Sequence, residues 1–162
     1  MKNMNKLTFA LWLMLASLTS SVWAQDKSTD LAIVVNSASS MDNVSSADLA
    51  KIFKAEKAKS ADGTKFVLAV REAGSPERAA ALKSIYGMSD SVYEKFFLQA
   101  TFAGTVQAAP KALGSASSVK QFISASPGAI CYMRGSDVDS SVKVLKVDGK
   151  SPGDADYPIK IK

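Results

Sequence analysis

Binding chemistry is most readily built from the stretch Arg71-Glu72-Ala73-Gly74-Ser75-Pro76-Glu77-Arg78. It joins an apolar strand, Phe66 to Val70, to an amphipathic helix through a glycine and a helix cap. Such a turn aims backbone N–H groups without intrahelical partners at one spot, which favours an anion there. Arg71 leaves the strand end and Arg78 lies in the first helical turn, so both guanidiniums are expected to reach the cap. A guanidinium suits bidentate contact with phosphate or carboxylate. Ser75 adds a hydroxyl and is a good N-cap, Pro76 is favoured at the first helical position, and Glu77 suits the first turn. Two readings stay open on these residues alone: a small-anion site, or a well-capped helix with solvated charges. Glu77 favours the second, because its carboxylate competes for the positive helix end and can pair with Arg71 or Arg78.

Other groups add little. Ser37, Ser39 and Ser40 follow the first strand and would line the same crevice if both strands end on one side of the sheet; as a polar loop they need no further role. Lys51, Lys54, Lys57 and Lys59 read as a solvated face. Asp48, Glu56 and Asp62 form no recognisable pair for acid–base work. The chain has no histidine, which removes Ser-His-Asp and Cys-His catalysis and the commonest transition-metal ligand. Its single cysteine, Cys131, lies in the apolar run Ala129 to Met133 and reads as a buried, inert thiol. No enzyme activity, metal or cofactor is expected.

The elements that must position the turn follow from apolar periodicity. Leu31 to Val35 is a continuous branched run, as expected of a strand covered on both faces. Ser45 or Ser46 caps a helix with Leu49, Ile52 and Phe53 inward. Ala61 to Thr64 turns into the strand Lys65 to Val70. The helix after Ser75 carries Ala79, Leu82, Ile85 and Tyr86 and stops near Gly87. The next, capped by Ser89 or Asp90, carries Val92, Tyr93, Phe96, Phe97 and Ala100. Residues 101 to 115 read as a loop, 117 to 124 as a short helix, Ala129 to Met133 as a strand, and Val142 to Val147 as a half-exposed edge strand. This order argues for a mainly parallel α/β sheet, with ligands beyond the carboxyl ends of strands. Arg71 to Arg78 and Asn36 to Ser40 are both expected at that end.

The first 24 residues read as a secretory signal. Lys2 and Lys6 form its basic start, Leu7 to Leu18 its apolar run, and Val22-Trp23-Ala24 its cleavage site. The apolar run falls short of the roughly 20 residues that span a bilayer. Cleavage after Ala24 would leave one domain from Gln25 to Lys162, exported to the periplasm and without a lipid or membrane anchor. It would also lower the formal charge from +5 to +3. The remaining lysines are scattered, so nucleic acid is not an expected partner.

Six stretches in order resemble the phosphate-type substrate-binding proteins of bacterial ABC transporters, within the type 2 periplasmic-binding-protein fold. They are Asp30 to Asn36, Ser46 to Leu49 with Ile52-Phe53, Asp62 to Thr64, Gly74 to Arg78, Pro127 to Tyr132 and Val144 to Gly149. The resemblance implies a single Rossmann-like lobe, matching the second of the family's two. It also implies phosphate oxygens held by an arginine at a strand end, a serine four residues later, and a following glycine and threonine. Arg71 and Ser75 fall on the first two positions. Pro76 and Glu77 replace the glycine and threonine, removing an N–H and a hydroxyl donor, and Ala73 stands where an aspartate is common. Without an opposing lobe, two expectations follow: weak binding of phosphate or another small oxyanion by Arg71, Ser75, Arg78, Ser39 and Ser40, with association of two chains as a homodimer as one way to make a cleft; or an accessory protein that meets an envelope partner and binds no small ligand.

Overall fold

The five branched and aliphatic side chains of β1 (Leu31–Val35) are all buried, as a strand covered on both faces requires. The computed structural model that places them describes residues 29 to 161; the segment read as a secretory signal and its expected cleavage site lie outside the described residues. Around β1 stand β2 (Asn43–Val44), β3 (Val67–Arg71), β4 (Lys111–Leu113), β5 (Ala129–Arg134) and β6 (Lys143–Val147), in the order β2-β6-β1-β5-β3-β4.

β3 runs parallel to β4 and β5, and β2 parallel to β6, whereas β1 is antiparallel to both its neighbours, β5 and β6. Five strands therefore point one way, and the mainly parallel α/β sheet is as expected. β1 alone opposes them, which moves the loop after it. The run 142 to 147 also differs from its reading as an edge: β6 lies between β1 and the two-residue β2.

Alternate side chains of β1 feed two cores. Leu31, Ile33 and Val35 pack with Leu49, Ile52 and Phe53 of α1 (Ser46–Phe53) and with Tyr86, Tyr93 and Phe97. Ala32 and Val34 pack on the other face with Cys131, Met133 and with Val119 and Ile123 of α4 (Ala116–Ala125). Each fully buried side chain of this size contributes roughly 1.5–3 kcal/mol.

Between α1 and α4, α2 (Pro76–Ala81) continues into a π-helical turn, Leu82–Tyr86, that ends on left-handed Gly87. α3 (Asp90–Phe102) follows with Tyr93 and Phe97 buried, but Val92 is 52 % exposed rather than inward. Ala79 likewise faces outward. Residues 111 to 113, expected in a loop, form β4.

Two close approaches lock the sheet. Gly128 enters β5 so near to the turn before β3 that an added Cβ would lie 1.9 Å from the Lys65 carbonyl oxygen. At the other end the chain terminus folds back on β1: Leu31 N–H donates to Ile159 O at 3.0 Å and Tyr157 Oη–H donates to Leu31 O at 2.8 Å. Asp30, fully buried, accepts the Gly153 N–H and forms an ion pair with Lys160 at 2.7 Å whose angles are not those of a hydrogen bond.

Candidate functional site

Arg71 stands at the end of β3 because the apolar pattern of that strand stops there, and Gly74, at φ +83°, lets the chain reverse into α2. The arginine N–H donates to Tyr132 Oη at 3.3 Å, tying the turn to β5. Its Nη2 donates to the carbonyl oxygen of Gly114 at 3.1 Å. Gly114 precedes Ser115, the cap of α4, whose Oγ accepts the Ser118 N–H. The guanidinium thus ties the end of β3 to the start of α4, which has a positive end, as has α2 after the turn. Its Nε is buried and has no acceptor among the described residues.

Ser75 caps α2 as expected: its Oγ accepts the Arg78 N–H at 3.2 Å. The same hydroxyl donates to Glu72 O at 2.9 Å, so its proton is already engaged. Pro76 has no N–H to offer. The amides of Ala73, Gly74 and Glu77 donate to no acceptor among the described residues.

The expectation that both guanidiniums reach the cap fails for Arg78. Its side chain is only 7 % exposed and turns inward. Nε and Nη2 each lie 2.7 Å from Asp90 Oδ1, Nη1 donates to Arg71 O at 3.3 Å, and the guanidinium carbon stacks 4.4 Å from the centre of the Tyr93 ring. Burial works against the Arg78 charge, but the hydrogen bond and charge of Asp90 outweigh it and hold the guanidinium above its usual pKa. Arg78 is therefore a strut between β3 and α3. Glu77 also departs from expectation. Its carboxylate is buried and accepts from Arg134 Nε at 3.2 Å, on β5, rather than from Arg71 or Arg78. One objection to an anion is thereby removed, because this charge is neutralised away from the cap.

Ser39 and Ser40 do not join the site. Because β1 opposes β3, Val35 is level with Ile130 and Leu68, at the start of β3, while Leu31 is level with Arg134 at the other end. The loop after β1 therefore lies at the opposite end of the sheet from Arg71. There Ser39 Oγ accepts the Met41 N–H and its carbonyl accepts from Lys143 Nζ. Ser40 donates to Asp62, which Ser60 and the Thr64 N–H also bond, holding that carboxyl well below the usual range.

Beneath the turn, Tyr86, Tyr93 and Tyr132 form an aromatic cluster with Phe53 and Phe97. Burial raises the pKa of all three hydroxyls. Cys131 is buried as expected and its thiol is pushed up to about 12 by burial. Among the described residues no group of three or more His, Cys, Asp or Glu could hold a metal, and no helix is long and apolar enough to cross a membrane. Arg134 and Gly114 were not singled out by sequence reasoning, and Asp90 was read only as an alternative cap of the next helix.

No protein-family model matches the chain, and no curated protein matches it by sequence. Solved structures match by fold. An ABC-type phosphate transport receptor from Vibrio cholerae is 21 % identical with a TM-score of 0.57, the match covering 76 % of this chain and 48 % of that one. A putative phosphate ABC transporter substrate-binding protein with bound phosphate, from Clostridium perfringens, is 18 % identical with a TM-score of 0.63, covering 76 % and 47 %. PstS from Borrelia burgdorferi is 18 % identical with a TM-score of 0.62, covering 83 % and 55 %. The chain thus spans about half the length of these structures, and the fold implied by the resemblance is the fold found.

Proposed function

We propose that the protein is an exported binding module that holds phosphate, or another small oxyanion of that class, at the corner between β3, α2 and α4. The observation that carries this reading is the state of Arg71: its Nε is unpartnered and its Nη2 bridges to the residue before the α4 cap. A guanidinium beside two positive helix ends and three unengaged amides is suited to an anion. Ser75 contributes its hydroxyl by rotating from Glu72 O, and Arg78 contributes by holding the Arg71 carbonyl. Neighbours of the same fold whose names include phosphate support the ligand class. Binding is weak, because the corner is open and Pro76 supplies no donor.

Calorimetric titration with phosphate at low ionic strength tests this, with dissociation in the millimolar range expected and loss of the signal in Arg71→Ala. No heat from the wild-type chain, or equal heat from the variant, would overturn it.

One observation favours a second reading, an interaction protein that keeps the fold without a small ligand. Phe102 is 85 % and Leu98 58 % exposed, one turn apart on α3. Such a pair suits contact with an envelope protein or a second copy. Light scattering and pull-down with Phe102→Ser test it; a monomer that captures no specific partner would count against it.

A further inference from the structure

At the end of β3 opposite to Arg71, a groove of about 610 Å³ opens between the sheet, the end of α1 and the loop after α3. Unequal strand lengths leave it open. β4 begins with Lys111 opposite Ala69, so Val67 and Leu68 have β5 on one side and no strand on the other. The groove's apolar lining comes from both faces of the open edge, Phe66, Leu68, Phe97 and Val106 on one and Val67 and Phe122 on the other. Val67 is 42 % exposed there although its neighbours are apolar.

Charge around the groove is of one sign. Lys57, Lys65 and Lys111 line it, and no Asp or Glu does. Lys57 is engaged by Asp48 at 3.1 Å. Lys65 and Lys111 have no ion pair or side-chain hydrogen bond among the described residues: the lysines in salt bridges there are Lys57, Lys120, Lys143, Lys150 and Lys160. An apolar floor favours a ligand that removes hydrocarbon from water, at roughly 25 cal/mol per Å². The cationic rim favours a negative charge at its end and disfavours a positive one. A small oxyanion would leave the floor wet, and a neutral hydrocarbon would leave the lysines unused.

We propose that this groove binds an alkyl chain with an anionic head group, of the fatty-acid carboxylate class. The chain crosses the open edge of β3, with Leu68 on one face and Val67 and Phe122 on the other, and the head group meets the lysine rim. Its volume is in the range of small-molecule sites, about 300–1,000 Å³. A free fatty acid and an anionic lipid in a bilayer share this chemistry.

Titration with monomeric dodecanoate tests the proposal. Saturable binding below about 1 mM is expected, with no binding of dodecyltrimethylammonium, which has the same chain and a cationic head. Lys65→Glu with Lys111→Glu should weaken dodecanoate at least about tenfold, and Val67→Asp should weaken it likewise. All three positions are exposed, and circular dichroism confirms that the variants are folded. Arg71→Ala should leave the dodecanoate affinity unchanged while losing phosphate binding, which separates this site from the oxyanion corner. Cosedimentation with phosphatidylglycerol vesicles, lost in the lysine variant, assigns a bilayer source; no cosedimentation assigns the free acid. Absence of saturable dodecanoate binding, equal binding of the cationic amphiphile, or binding unchanged by the lysine reversal would overturn the proposal.

Discussion

Replacing Asp90 by alanine should destabilise the protein more than a residue near its surface ordinarily would. The Asp90 side chain is 41 % exposed, but its partner Arg78 is only 7 % exposed. Removing the carboxylate leaves a buried guanidinium with one carbonyl and one ring for company. Breaking a buried pair in this way costs about 3–5 kcal/mol; the partial solvation of Asp90 argues for the lower end, about 3 kcal/mol. Loss of a negative charge in the first turn of α3 adds about 0.5 kcal/mol. The reverse change, Arg78→Met, keeps most of the apolar stem and leaves an acid that water can reach. It should cost about 2 kcal/mol, from the hydrogen bond to Arg71 O and the stacking on Tyr93. In the double variant no charge is left buried, so its cost should fall about 3 kcal/mol short of the sum of the single changes. Urea unfolding followed by far-UV circular dichroism measures all four corners of this cycle. Additivity within about 0.5 kcal/mol, or equal cost of the two single changes, would refute the argument that Arg78 is a buried strut.

All four tyrosines have their pKa raised by burial, so each is neutral in the folded state at pH values where the unfolded chain begins to ionise. The unfolded state then binds fewer protons, so stability should hold below about pH 10 and fall as pH rises beyond it, read as a falling urea midpoint. Cys131 should not react with a thiol reagent at pH 8 in the folded protein and should react once per chain in urea. Gly128→Ala should prevent folding or cost more than about 3 kcal/mol, because backbone rather than a flexible side chain stands 1.9 Å from the new methyl; soluble yield and thermal midpoint report this. Asp30→Ala should cost about 3 kcal/mol by leaving the Gly153 N–H without its acceptor and Lys160 unpaired, with the loss seen first in hydrogen exchange of residues 153 to 161.

Most of the fold was legible because its signals are local. Leu31 to Val35 could only be a covered strand, and Ser45, Ser75 and Ser89 each cap the helix expected of them. The direction of β1 was not legible, since five apolar residues read alike whichever way a strand runs. That single reversal is why Ser39 and Ser40 fall at the wrong end for the oxyanion corner. β4 was missed because three residues among alanines and glycines give no period to read. At the site, the cap and the strand-end arginine follow from spacing, but the inward turn of Arg78 depends on Asp90 and Tyr93 meeting it across a helix packing. Glu77 was misread for the same reason: its partner Arg134 is brought beside it only by the sheet.

The reversed first strand also sets an order of events. Both neighbours of β1 lie about a hundred residues further along the chain, and the terminal segment that bonds to Leu31 comes later still. As the chain emerges from a ribosome, this covered strand has no partner strand until residues 129 to 147 have followed. Closing so long a loop before any reward delays folding. The core on both faces of β1 is therefore complete only once residues 129 to 161 have joined it.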